Sequence, residues 1–432
     1  SGSRNQDKEQ KEDMKFVFLK DYKSLDYVSA WFYKGAKYIH SFNAQLAFVS
    51  TNSICQGDQV AKTWPCILND NIEIGFANQS FKWTNNAKGN AGVTVIIVGL
   101  RNISKDQKLI YKDNLEKKAS NINAYLLDAK NFYVKGTSNS ISNFPNITYG
   151  SMPNDGGNLL LNENDKNRII QTNPESSKYI KEFTGAHDFL HDKKRWCLVI
   201  EDSEVEDAIK IPEIAHRLTN IKAIREKSTE KSTKEKAKTP NQFYFFSHQN
   251  TESILVPCHS SERRVYIPLG FLDKKTVIGN SALAIYNVKP WIFSVITSQI
   301  HMCWVKTVGG KLKTDYRYSG KLCYNTFPFP NISKQRKDEL TQCTLKIIDE
   351  RLKHSEKTLA QLYDPDKMPE GLKEAHHQND LAVERCYRSN PFNSDEERLE
   401  YLFNLYEKMI EEEKFQNTLF AKEKKTRKRK TT

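Results

Sequence analysis

The chain has 432 residues, 38% of them hydrophobic and 11% aromatic, enough for two or three domains with cores of their own. No apolar run approaches the ~20 residues of a membrane span, and no segment has the layout of a signal peptide. The net charge of +13 points to a polyanionic partner, but residues 421–432 (seven Lys/Arg against one Glu) and 222–238 (seven against three) carry most of it. Both runs read as solvated and mobile, able to add only salt-sensitive, sequence-independent affinity for a nucleic acid.

From Met14 to about Leu100, helix and strand alternate. Val28, Trp31, Phe32, Gly35 and Ile39 recur at helical spacing. Residues 46–49 form a short apolar strand. Residues 57–68 read as a helix that Pro65 kinks or stops. Residues 72–76 and 93–99 read as strands flanking a polar loop or hairpin at 78–92. Strand–helix–strand units ending in two neighbouring strands predict the closing half of an open α/β sheet over residues 1–105. Residues 102–121, polar and charged, read as a crossover.

From Ile122 the texture changes to short strands and turns. Residues 132–134, 158–161, 195–200, 242–246, 253–257 and 265–267 read as strands. Asp155-Gly156-Gly157 and Gly309-Gly310 read as turns, and 291–305 as an amphipathic helix. Residues 122–330 are expected to form one α+β domain with a mobile basic insertion near 222–240. Beyond Pro330 the pattern is helical. Leu340, Cys343, Ile347, Ile348 and Leu352 make one stripe. Ser394-Asp395-Glu396-Glu397 is a capping box opening a helix with Leu399, Leu402, Phe403, Tyr406 and Met409 on its apolar face. Residues 331–420 are expected to form a helical region packed on the preceding domain, with 421–432 as a basic tail.

Eight cysteines are scattered without a CxxC pair, as expected of buried free thiols in a reducing cytoplasm. Cys258-His259 and His301-x-Cys303 lack a second cluster at ligand spacing, so no metal site is expected. Asp364-Pro365-Asp366 with Glu370 and Lys373 approximates a nuclease motif, but two residues separate Glu370 from Lys373 and the stretch joins helices.

The most informative stretch is 301–330. After Gly309-Gly310, Lys311, Lys313, Asp315 and Arg317 alternate with Leu312, Thr314, Tyr316 and Tyr318. On one continuous strand the charged residues form a comb on a single face. Such a comb either probes base edges in a DNA groove or is the solvated face of an edge strand.

The block HMCWVKTVGGKLKTDYRYS followed by YNTFPFP resembles the recognition region of MmeI-like bacterial restriction–modification enzymes. SRNQDKEQKEDM, LDYVSAWFYKGAKYI, VSTNSICQGDQV, FKWTN, YGSMPNDGGNLLL, KRWCLVI, SSERRVYIPLGF and LYDPDKMP are similar to blocks of the same family and occur in its order, from Ser3 to about Tyr406. The resemblance implies the closing half of a class I methyltransferase sheet, then an α+β DNA target-recognition domain, then helices. It implies transfer of a methyl group from S-adenosylmethionine to adenine in double-stranded DNA by a monomeric bacterial enzyme. The family's Asn-Pro-Pro-Phe tetrad lies immediately before the first block, and its nuclease lies further toward the N-terminus. This stretch alone is therefore expected to be inactive, to hold no cofactor, and to work with a preceding portion. The alternative class is a DNA- or RNA-binding module without catalysis.

The resemblance also supplies residues. Phe81 and Trp83 of FKW match the aromatics expected to stack against a flipped adenine; the alternative is that they pin a hairpin to the core. Lys313 and Asp315 match base-reading positions and are expected to read one G·C pair, guanine to Lys313 and cytosine to Asp315. Arg317 follows, facing a neighbouring base or phosphate, and Ser281 is a further base-reading candidate. Arg263, Arg264 and Lys311 are candidates for the DNA backbone, with an internal salt bridge from Arg263 or Arg264 to Glu262 as the alternative. Arg195-Trp196 reads as packing at a strand start.

Overall fold

The computed structural model describes residues 2–18, 22–68, 71–83, 93–312 and 314–429, with side chains to residue 415. The first elements are α1 (Lys8–Phe18), α2 (Val28–His40), β1 (Gln45–Thr51), α3 (Asp58–Thr63), β2 (Ile72–Trp83), β3 (Val93–Asn102), β4 (Lys108–Lys112) and β5 (Leu115–Ala119). There follow β6 (Ile147–Tyr149), β7 (Leu160–Leu161), α4 (Glu163–Thr172), β8 (Ile180–Thr184), α5 (Ala186–Leu190), β9 (Arg195–Leu198), α6 (Val205–Ala208), α7 (Pro212–Glu226) and α8 (Lys231–Glu235). Next come β10 (Ser253–Pro257), β11 (His259–Ser260), β12 (Gly270–Leu272), β13 (Val277–Ile278), β14 (Ala282–Tyr286), α9 (Pro290–Thr297) and α10 (Gln299–Val308). The last are β15 (Gly310–Leu312), β16 (Asp315–Arg317), α11 (Lys334–Leu352), α12 (Leu359–Leu362), α13 (Glu370–Glu384) and α14 (Asp395–Arg429).

Contacts divide the chain into two compact units, one of residues 1–142, 303–329 and 392–432, the other of residues 143–302 and 330–391. Neither unit is continuous in sequence. Residues 303–329 and the last helix belong with the N-terminal sheet, while the helices of 330–391 belong with the middle of the chain.

The first unit is built on a five-stranded sheet of order β1-β3-β2-β4-β5. β3 runs antiparallel between β1 and β2, and β4 is parallel to β2. β1, β2 and β4 therefore all end at the same edge. Phe32 of α2 is fully buried beside Phe48 of β1 and Trp64. Trp31, expected on the same stripe, is 56% exposed because Ala30, Phe32, Ala36 and Ile39 define the buried face. α3 ends at Thr63, just before Pro65, as the sequence predicts. Residues 102–121 are not a crossover. They form the β4–β5 hairpin, whose turn residues Asp113 and Asn114 have φ of +49° and +64°. Two left-handed residues suit the strand twist, and Asx side chains tolerate that conformation. Phe403 and Tyr406 of α14 complete this unit, packed against Trp304, with Phe403 also against Tyr125 and Phe132. Phe132 is buried there as irregular chain, not as the expected strand.

The second unit contains two small sheets, β12-β10-β14-β6 and β13-β8-β9-β7. β10 is the expected strand, apolar and buried throughout. Its equally buried partner β14, an Ala-Leu-Ala-Ile-Tyr run, is absent from the sequence reading. Residues 242–246 and 265–267 are irregular, although Phe245 makes an isolated bridge to Met152. The expected helix over 291–305 breaks at Ser298, which caps α9 with φ and ψ of −72° and 158°.

The basic stretch near 222–240 is not a loose insertion. It forms the end of α7, α8 and a short 3-10 turn. Arg225 is fully buried and donates to the carbonyls of Pro153, Asn154, Lys236, Thr239 and Gln242. Buried polar groups also fasten α11 and α13 to this unit. Arg351 donates to the Leu269 carbonyl and the Tyr363 hydroxyl, which lies 2.7 Å from His376 Nε2. Asp380 accepts from the Tyr266 hydroxyl and the Gln299 amide.

Candidate nucleic-acid interface

The charged comb of 311–317 is not one strand. β15 and β16 pair as an antiparallel hairpin in the register Gly310↔Arg317, Lys311↔Tyr316 and Leu312↔Asp315. Directly opposed residues share a face. Asp315 and Arg317 therefore stand with Leu312 on one face, and Lys311 stands with Tyr316 on the other. The Lys311 ammonium sits 5.2 Å from the Tyr316 ring centroid. The antiparallel register swaps odd and even positions between the strands, which alternation in the sequence does not reveal. Leu312 is 57% exposed, and Asp315 and Arg317 are exposed too. Lys313 lies outside the described residues. Tyr318, immediately after the hairpin, is buried, and burial raises its phenol well above its usual pKa, so it anchors rather than titrates.

Phe81 and Trp83 do not lie in a loop. β2 continues through them, pairing Phe81 with Val95 and Trp83 with Val93. The β2–β3 register shifts between Asn78 and Phe81, where three residues on β2 span two on β3. Such a bulge re-aims the side chains after it. The two rings lie 6.4 Å apart, with Trp83 44% exposed and Phe81 half-buried.

Ser281, Arg263 and Arg264 belong to the second unit. The Ser281 hydroxyl accepts from the Ala186 amide at 2.9 Å, bracing the start of α5. Arg263 is ion-paired with Asp366, and that hydrogen bond raises its pKa. Asp366 thus serves as a salt-bridge partner within the motif that approximated a nuclease. Arg195 approaches Asp188 at 3.4 Å and covers the Phe183 ring, while Lys166 lies 3.9 Å from the Trp196 ring centroid, so this pair packs. Among the described residues no three His, Cys, Asp or Glu side chains gather as metal ligands. No helix is long and apolar enough to cross a membrane, among those same residues.

In the first unit a cleft of about 340 Å³ opens at the sheet edge where β1, β2 and β4 end. Open α/β sheets bind ligands at the carboxyl ends of their strands. Asn52 follows β1 and donates to Ser80 at 3.4 Å, within the β2 bulge. Gln79 donates to the Leu126 carbonyl at 2.8 Å. Leu126 has a φ of +60°, a strained conformation for a bulky residue, held by Asn123, whose side chain accepts from the amides of Tyr125 and Leu127. Gly57, with φ of +59°, lets the loop before α3 approach the Gly310 backbone. Lys112, Lys306 and Lys311 line the cleft. Burial pushes the Cys55 thiol and the Tyr125 phenol well up, so neither is a nucleophile or base near neutrality. The cleft can donate hydrogen bonds and hold negative charge. The sequence reading missed it because its residues come from six separate segments.

Sequence models of three MmeI domains match this chain in order: the DNA-methyltransferase domain at residues 1–112, the target recognition domain at 128–331 and the C-terminal domain at 332–412. This chain belongs to the MmeI-like family. DNA methyltransferase A of Bacillus subtilis (strain 168) is 45% identical over 413 residues, which are 95% of this chain and 47% of that protein. The solved structure of the type IIL restriction-modification enzyme MmeI in complex with DNA matches with a TM-score of 0.89 at 37% identity. That match covers 95% of this chain and 56% of the other. The chain thus spans about half the length of the MmeI-like proteins it matches. Their methyltransferase domain implies S-adenosylmethionine as the family's methyl donor. Among the described residues, the loop joining β1 to α3 carries a single glycine, Gly57, and is not the glycine-rich cradle such a cofactor uses. No residue here is therefore assigned to it.

Proposed function

We propose that this chain reads the target site for an adenine-N6 DNA methyltransferase of the MmeI-like type and contributes to the pocket that receives the flipped base. The β15–β16 hairpin carries this reading. An exposed carboxylate and an exposed guanidinium share one face of this short hairpin, where they can address base edges in the major groove. Asp315 accepts from the amine of cytosine, Lys313 takes the paired guanine, and Arg317 takes the neighbouring base or phosphate. Ser281 remains a base-reading candidate through its hydroxyl proton, since its oxygen already accepts from Ala186. Phe81 and Trp83 stack on the extruded adenine. Arg263, Arg264 and Lys311 meet the backbone, with Arg263 exchanging Asp366 for a phosphate.

The test is expression of the full-length protein in a host free of DNA methylation, followed by sequencing that detects N6-methyladenine. One asymmetric motif with a G·C pair that changes in Lys313→Glu/Asp315→Arg supports the reading. Absence of methylation, with sequence-independent DNA or RNA binding, would replace it with a non-catalytic binding module.

A further inference from the structure

The cleft at the sheet edge has a use that base reading and stacking leave open. Its lining includes three lysines, Lys112, Lys306 and Lys311, and amide side chains from Asn52, Gln56 and Gln79, with no carboxylate among the described lining residues. Its volume lies at the small end of the ~300–1,000 Å³ range of ligand sites, too small for a duplex and suited to a single sugar–phosphate unit. Its floor is not incidental. The β2 bulge turns Gln79 and Ser80 toward it, and Gln79 holds the strained Leu126 turn by its carbonyl. Strain held this firmly marks sites where backbone shape matters. From Gln79, β2 runs two to four residues to Phe81 and Trp83, about 7–13 Å at roughly 3.3 Å per residue. That distance is a few nucleotides of one strand.

We infer that this cleft clamps a phosphodiester of the strand carrying the target adenine, with Lys306 and Lys112 as its new cationic contacts beside Lys311. The inference rests on the DNA-methyltransferase reading and deepens it. Lys306 comes from the last turn of α10 and Lys112 from the end of β4. The grip therefore joins the hairpin-bearing segment to the sheet. A clamp on the backbone beside an extruded base holds the strand open while carrying no sequence information.

The experiment uses the full-length protein, its own methylated motif, and duplexes in which one phosphate at a time near the target adenine is replaced by a neutral methylphosphonate. Wild type should lose affinity several-fold at one or two linkages. Lys112→Gln/Lys306→Gln should bind more weakly overall, lose nothing further at those linkages, and methylate an unchanged motif. Its salt dependence should flatten by about 0.9 in slope per lost contact, or about 12-fold less loss between 50 and 200 mM salt for both. Lys306→Arg should restore part of the slope and exclude a folding defect. Losses that multiply at every linkage, or an unchanged slope, overturn the clamp while wild-type methylation keeps the underlying reading intact. If wild type methylates no adenine, both fall together.

Discussion

Arg225 offers a direct test of whether the basic stretch near 222–240 is folded structure or a solvated insertion. Its guanidinium is fully buried and donates to five main-chain carbonyls, those of Pro153 and Gln242 at 2.8 Å, Asn154 and Lys236 at 3.1 Å, and Thr239 at 3.2 Å. None of the five acceptors is a carboxylate, and burial lowers the Arg225 pKa. A guanidinium stays protonated even so. Each charge-assisted bond is worth ~1.5–3 kcal/mol when removed singly, but the five share one desolvation cost and do not add. Arg225→Met leaves these carbonyls without their donor, at ~1–3 kcal/mol for each that stays buried and unsatisfied, so with partial relaxation a loss of about 3–5 kcal/mol is expected. Arg225→Lys should recover only part of it, because an ammonium has three donors and no planar fork. Hydrogen exchange reads this locally. The amides of Met152, Tyr244 and Phe245 bond to the Phe245, Pro153 and Met152 carbonyls, inside the segment Arg225 holds together. Their exchange should accelerate roughly 10²–10⁴-fold in Arg225→Met, since ~1.4 kcal/mol is a decade. Acceleration below tenfold would refute the argument and return the stretch to a surface appendage.

In the full-length protein, Asp315→Asn should change the preferred base at one motif position by ~1–3 kcal/mol, while Lys311→Gln on the opposite face should weaken binding without altering the motif. A motif altered by Lys311→Gln and not by Asp315→Asn would reverse the assignment of faces. Phe81→Ala should slow single-turnover methyl transfer and leave duplex affinity within about threefold, because stacking acts after the base leaves the helix; an unchanged rate removes Phe81 from the site. Asp366→Asn should tighten DNA binding, by up to about fivefold, because Arg263 no longer gives up an exposed ion pair to reach a phosphate; an unchanged affinity means that Arg263 does not face phosphate. Burial pulls His301 down to about 3 and His376 well below its usual value, so both fold as neutral imidazoles. The unfolded chain takes up protons first, so stability is intact above about pH 6.5 and falls as pH drops below it, by roughly 1.4 kcal/mol per unit for a histidine that stays neutral in the fold. Denaturant melts of His376→Gln should show a shallower decline across that window.

The family and fold class were legible because ordered blocks along most of the chain survive as contiguous sequence. Strands such as β10 were legible because an all-buried strand is a continuous apolar run, whatever its neighbours do. β14 carries the same signal and could have been read by the same rule. What tertiary structure decided depended on partners distant in sequence or on where the chain reverses. No Gly, Pro, Asn or Asp separates Leu312 from Asp315 in the sequence, so nothing local announced that β15 and β16 are two strands, and the face of every later charge was inverted. Residues 222–238 read as solvated because seven cations lie close together. Arg225 is buried only because carbonyls from Pro153 to Gln242 converge on it. Arg263 met Asp366, 103 positions away in the sequence. The cleft joins residues from after β1, the β2 bulge, β3, the end of β4, the Leu126 turn, and α10 with the adjoining β15. Local pattern records what a residue prefers beside its neighbours in the chain; the sign and setting of a charge at a site are fixed by neighbours that only folding supplies.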